Sequence, residues 1–155
     1  MFRCFTQLLF SQSSIQKNNK DDLSYIEYKD TIEFVVPITR GKVIKVYDGD
    51  TITLASRIAP DSPIYRFHVR MNGIDTPEIK GGSMHEKELA IKARNELSKM
   101  IMGKIVHLKN NNTEKYGRIL SDVYLDDLHI NQWLLDNKYA VEYSGGTKIR
   151  PLEWD

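Results

Sequence analysis

Between Lys42 and Leu125 lie five short stretches rich in β-branched and aromatic residues, interrupted by a single long helical pattern. Lys42 to Tyr47 and Thr51 to Ser56 are joined across Asp48-Gly49, a dipeptide that favours a tight hairpin turn. Ile64 to Met71 alternates, with Tyr65, Phe67, Val69 and Met71 on one face and Arg66, His68 and Arg70 on the other. Arg70 is therefore expected to point away from the apolar face. Ser83 to Glu86 has the form of a capping box; Leu89, Ala93, Leu97, Met100 and Ile101 then recur at helical spacing until Gly103 supplies a stop. Ile105 to Lys109 and Ile119 to Leu125 read as the remaining strands, with Asp126-Asp127 as a turn and Ile130, Trp133 and Leu134 on a short second helix. Five strands around one inserted helix are compatible with a small closed barrel, although periodicity alone does not select it.

The remainder of the chain is less constrained. At 155 residues and 41% hydrophobic, it is long enough for one domain with a tail and shows no sign of a second. Residues 1–22 read as an N-terminal arm, disordered or weakly helical. The Ser content of Met1 to Gln16 and its sole charge, Arg3, give the arm some features of a targeting peptide, and Cys4 is either a free thiol or a lipid attachment point. The compartment is left open. Residues 23–40 read as a strand-like extension, because Tyr25, Tyr28, Ile32, Phe34 and Val36 alternate with polar residues, and 41–155 as the functional domain. A single cysteine excludes an intrachain disulfide framework, and no apolar run approaches the length of a membrane span. With 22 basic against 21 acidic residues the net charge is +1, so any nucleic-acid affinity must come from local clustering. The four histidines show no metal spacing, and no Gly-rich phosphate loop or nucleophilic serine elbow occurs.

Three motifs carry chemistry: Asp48-Gly49-Asp50-Thr51; Arg70 followed five residues later by Asp75-Thr76-Pro77-Glu78; and Lys115-Tyr116-Gly117-Arg118. Hard oxygen ligands hold a Ca²⁺-like cation, a further carboxylate deprotonates or orients water, and guanidinium forks grip phosphate oxygens two at a time. Taken singly, each residue has a commoner fate: a solvated turn acid, a loop kink, a surface glutamate, a surface salt bridge. Their order and spacing resemble those of the staphylococcal nuclease family, and the match runs from about Gly41 to Tyr143.

The resemblance implies an α+β, mainly β fold: a five-stranded OB-fold barrel with an inserted amphipathic helix and a short second helix, here without the long C-terminal helix of the bacterial prototype. It implies a metal-dependent endonuclease acting on DNA and RNA, preferably single-stranded, and leaving 3′-phosphate and 5′-hydroxyl ends. Asp50, Asp75 and the Thr76 carbonyl would hold Ca²⁺, with Asp48 either orienting that site or merely shaping its turn. Glu78 would be the general base, and Arg70 and Arg118 the phosphate clamp. Lys115 and Tyr116 would contact substrate, while Tyr143 stacks on a base or packs. A monomer is expected. The rival reading is a catalytically silent nucleic-acid or protein-binding module, which degenerate copies of this fold become when ligands or arginines are lost.

Overall fold

A computed structural model of the chain describes residues 23–80, 82–146 and 151–154. The expected arm, 1–22, lies outside the described residues. The chain divides into two units, residues 1–33 and 34–155.

In the first unit the expected strands do not form. Residues Tyr28–Asp30 make a 3₁₀ turn, closed by the Glu27 amide donating to the Asp30 carboxylate (3.1 Å). Among the described residues no strand precedes Arg40. Alternation marks a strand only where a neighbour supplies hydrogen bonds, and here Tyr28 and Ile32 are 96% and 95% exposed.

In the second unit, β1 (Arg40–Val46), β2 (Thr51–Ser56), β3 (Tyr65–Met71), β5 (Ile105–Thr113) and β6 (Ile119–Leu125) run in the order β3-β2-β1-β5-β6. A parallel pairing of β3 with β6, Val69 opposite Ile119 and Arg70 opposite Leu120, closes them into the five-stranded OB-type barrel. Three two-residue strands lie outside it: β4 (Ile74–Asp75) pairs with β8 (Val141–Glu142), and β7 (Leu128–His129) turns back on β6 across Asp126-Asp127. Val43, Ile52, Leu54, Val69, Met71, Val106, Leu108 and Val123 fill the barrel. Strand β5 continues four residues beyond Lys109, because a register irregularity between Lys109 and Asn112 absorbs Asn110, whose φ is 54°.

Helix α1 (Met84–Ile101) buries Ala90, Ala93, Leu97 and Ile101 and stops at Gly103, which takes a φ of 76°. Only half of the expected capping box forms. Ser83 Oγ accepts from the Glu86 amide (3.0 Å), but the Glu86 carboxylate turns elsewhere. Helix α2 (Ile130–Asp136) places buried Asn131 between strands: it accepts from the Val123 amide (3.0 Å) and donates to the Asn72 carbonyl (2.8 Å). That clasp fixes the β3–β4 turn and so the position of Asp75. After β8 the described residues hold only a 3₁₀ turn, Leu152–Trp154. None of the described helices is long and apolar enough to cross a membrane.

Candidate functional site

Two turns that are distant in sequence meet at the end of β2 and β3. Gly49 allows it: a Cβ there would come within 2.9 Å of Thr76 Cγ2, so only glycine lets the β1–β2 turn lie on the Asp75-Thr76-Pro77 segment. Asp48 shapes that turn by accepting from the Asp50 amide (3.2 Å). Asp50 is carried at the head of β2 and Asp75 on β4, and both are buried.

Arg70 stands between them. One guanidinium nitrogen donates to Asp50 Oδ2 (2.5 Å), the other to Asp75 Oδ1 (2.9 Å) and the Ile74 carbonyl (3.3 Å). Alternation correctly turns Arg70 away from the barrel interior, yet it is only 9% exposed, because the two turns and Tyr143 cover it. Tyr143 packs its ring 5.7 Å from the guanidinium carbon and donates its hydroxyl to the Gly146 carbonyl (2.9 Å).

Burial and the neighbouring Asp48 carboxylate push the Asp50 carboxyl up from 3.8 to about 6, against the pull of Arg70 and the Thr51 hydroxyl. One guanidinium therefore underneutralises this group of acids, and added positive charge would be favoured here. Among the described residues no three His, Cys, Asp or Glu side chains converge into a metal cage. The donors present, two carboxylates with backbone oxygens beside them, fit an oxygen-seeking cation that keeps much of its water.

These groups open onto a cleft of about 760 Å³, also lined by Tyr47, Thr76, Glu78, Arg94, Lys115, Tyr116 and Arg118. All the residues of the three motifs except Gly49 and Gly117 thus line this one space. Glu78 is exposed at the mouth, and its amide donates to Glu86 Oε1 (3.3 Å). Glu86 is a residue that sequence reasoning assigned to a cap; its 2% exposure and its bond to the segment bearing Glu78 make it a tie between that segment and α1.

The opposite wall is the β5–β6 turn. Glu114 accepts from Arg118 through both carboxylate oxygens (3.1 Å each), and Gly117, at φ 78°, lets the chain double back so that its amide reaches the Glu114 carbonyl (2.7 Å). Glu114 was not anticipated, although its four-residue spacing from Arg118 across a Gly turn was a usable signal. The Arg118 guanidinium holds the Glu114 carboxyl below its ordinary range. Tyr116 is 73% exposed, with the Lys115 ammonium 4.9 Å from its ring centre.

A profile of the family described as staphylococcal nuclease homologue matches residues 68–151, more than half of the chain. The match takes in Arg70, Asp75, Thr76, Glu78, Lys115, Tyr116 and Arg118, and leaves Asp48 and Asp50 on its N-terminal side. A probable staphylococcal-like nuclease of Oryza sativa subsp. japonica is 35% identical over 78 residues, covering 50% of this chain and 19% of that protein. An uncharacterized endonuclease of Escherichia coli is 31% identical over 97 residues, 61% of this chain and 55% of that protein. An uncharacterized protein of Methanocaldococcus jannaschii is 28% identical over 168 residues, 91% of this chain and 76% of that protein. The chain thus spans about a fifth of the rice protein's length and about half of the Escherichia coli protein's.

Proposed function

This chain belongs to the staphylococcal nuclease homologue family, and from that premise we propose that it is a metal-dependent endonuclease hydrolysing phosphodiester bonds in DNA and RNA. The observation that carries the reading is the buried Asp50–Arg70–Asp75 triad opening onto the same cleft as Glu78 and Arg118. A site that had decayed into a binding surface would have no need to keep two carboxylates and an arginine desolvated, an arrangement whose burial costs several kcal/mol per ion before pairing repays it, on the order of what a small domain can lose.

In this reading Arg70 and Arg118 grip the non-bridging oxygens of the scissile phosphate and offset the charge that grows as water adds to phosphorus. Arg118 reaches the substrate by exchanging Glu114 for phosphate. Glu78 takes a proton from the attacking water or holds that water in line; the new bond is water oxygen to phosphorus, and the bond broken is phosphorus to the 5′ oxygen. The products carry a 3′-phosphate and a 5′-hydroxyl. Asp50, Asp75 and the Thr76 carbonyl would hold a divalent cation, which when bound would supply Lewis-acid charge at the phosphate; Ca²⁺, tolerant of irregular oxygen sets, would suit these donors. Single strands are preferred, because Tyr116 offers a face on which an unpaired base can stack.

The test is cleavage of single-stranded DNA and of RNA with Ca²⁺, with Mg²⁺ and with chelator. Cleavage with Ca²⁺ and none with chelator is expected, and Glu78→Gln should lower turnover by about 10²–10⁴ while strands still bind. Full cleavage in excess chelator removes the metal. Strand binding without cleavage under any condition makes the chain a binding module.

A further inference from the structure

The near-neutral net charge conceals a strong asymmetry. Strands β1, β2, β3 and β5 hold six Lys or Arg and not one Asp or Glu. Register places most of that charge on one outer face. Lys42 and Arg66 flank Ala55 in one cross-strand row, Lys45 and His68 flank Thr53 in the next, and Arg70 pairs with Thr51 in the third. Successive rows are about 7 Å apart, and β1 and β3 are about 10 Å apart across β2. The floor is therefore small side chains, Thr51, Thr53 and Ala55, and the walls are long cationic ones. A bulge between Val43 and Lys45 is what puts Lys45 on this face; regular alternation after Val43 would turn it into the barrel. Among the described residues Lys42, Lys45 and Arg66 make no ion pair, and all three are exposed.

We propose that this trough is a phosphate-backbone track that seats the nucleic-acid strand flanking the cleaved bond. It runs into the cleft at Arg70, and its third row is the reactive centre itself, so a strand lying along it delivers successive phosphates to the clamp. The proposal rests on the endonuclease reading for the fate of the strand. Charge complementarity selects the occupant: an acid-free sheet face with exposed cationic side chains along both edges, and Thr51 and Thr53 buried between them, matches the phosphates of a linear polyanion without reading bases.

The experiment compares the wild type with the triple variant Lys42→Gln, Lys45→Gln, Arg66→Gln, none of which belongs to the cleavage machinery. Affinity for a 20-nucleotide single strand is measured in chelator across a salt series, alongside cleavage of that strand and of a dinucleotide, whose single phosphate fills the clamp and leaves none for the track. Three lost contacts should lower 20-mer affinity by about 10²-fold at 0.1 M salt and reduce the salt slope by about 2. Dinucleotide cleavage should stay within about twofold of wild type, since the clamp is untouched. Unchanged 20-mer affinity overturns the track, as does equal loss on both substrates in a variant of unaltered Tm. Loss of binding to phosphatidylserine vesicles with 20-mer affinity intact overturns it in favour of an anionic membrane. If the wild type cleaves neither substrate, the endonuclease reading fails, while a charge-dependent salt slope still supports the track.

Discussion

The two walls of the cleft are built on different principles. On the β1–β2 and β3–β4 side, Asp50, Arg70 and Asp75 come from a turn and two strands, are buried, and are brought together where Gly49 permits contact with Thr76. On the β5–β6 side, Glu114, Lys115, Tyr116 and Arg118 come from one turn, and Arg118 is held by a neighbour four residues away with 31% of its side chain exposed. The first wall is tertiary structure and the second is local structure. Damage to the first should therefore cost the fold as well as the chemistry, whereas the second can be altered for chemistry alone.

The largest expected contrast is between the two arginines. Arg70→Met leaves two buried carboxylates without their counter-ion and should destabilise the protein by about 3–5 kcal/mol. Arg118→Met removes a partly solvated pair and should cost under about 1 kcal/mol. Urea midpoints of both variants measure this, and equal losses would erase the distinction between the walls. Next in size is a chemical contrast confined to the local wall: Arg118→Lys keeps charge but loses the fork, so turnover should fall about 10²–10³-fold with the urea midpoint unmoved. Near-normal turnover would show that Arg118 serves only Glu114.

The two glycines sharpen the same point at smaller scale. Gly49→Ala drives a methyl group to 2.9 Å from Thr76 and should cost about 1–3 kcal/mol through overpacking, spreading the carboxylates apart. Gly117→Ala meets nothing within 4 Å and suffers only its left-handed backbone, about 1–2 kcal/mol. If cation affinity, read by calorimetry, survives Gly49→Ala, the turn contact is not what assembles the acids.

The last contrast is one of sign. Asp50 titrates near 6 in the folded chain against an ordinary 3.8, so its contribution to stability is fully present below about pH 4 and is lost as pH rises through 6. Glu114 lies below its ordinary 4.5, so its contribution is present above that value and is lost as pH falls past it. Asp50→Asn should flatten the stability profile between about pH 4 and 6, and Glu114→Gln only below about 4.5. Thermal midpoints across pH 3.5–7 on buffers of constant ionic strength, about 0.1 M, separate the two, and a common direction would mean the walls share one electrostatic environment.

Sequence patterns disclosed the hairpin, α1 and the Ser83 cap because their signals lie within one element: turn chemistry, a 3.6-residue period, a capping hydroxyl. The same patterns failed for Tyr25 to Val36, where alternation was present but no neighbouring strand was there to use it. They were silent on β4 and β8, since two residues have no period, although that pairing carries Asp75. The candidate site residues were legible as motifs, not as neighbours. Nothing local states that Arg70 bridges Asp50 and Asp75, or that Glu86 abandons its cap for the Glu78 amide. Both depend on contacts whose partners lie in other elements.

The parallel pairing of β3 with β6 has a consequence in time. Arg118 directly precedes Ile119, which pairs with Val69, and Arg70 is the next residue along. The two arginines therefore flank the Val69–Ile119 pair from opposite strands at one end of the seam that completes the barrel, and that seam joins strands far apart in the chain, so its loop-closure entropy makes it a late contact during folding. A newly made molecule with most of its sheet in place but the seam open has one arginine on each lip and no clamp. If the chain is the endonuclease proposed above, cleavage competence arrives only with closure, and incompletely folded copies are harmless to nucleic acid around them.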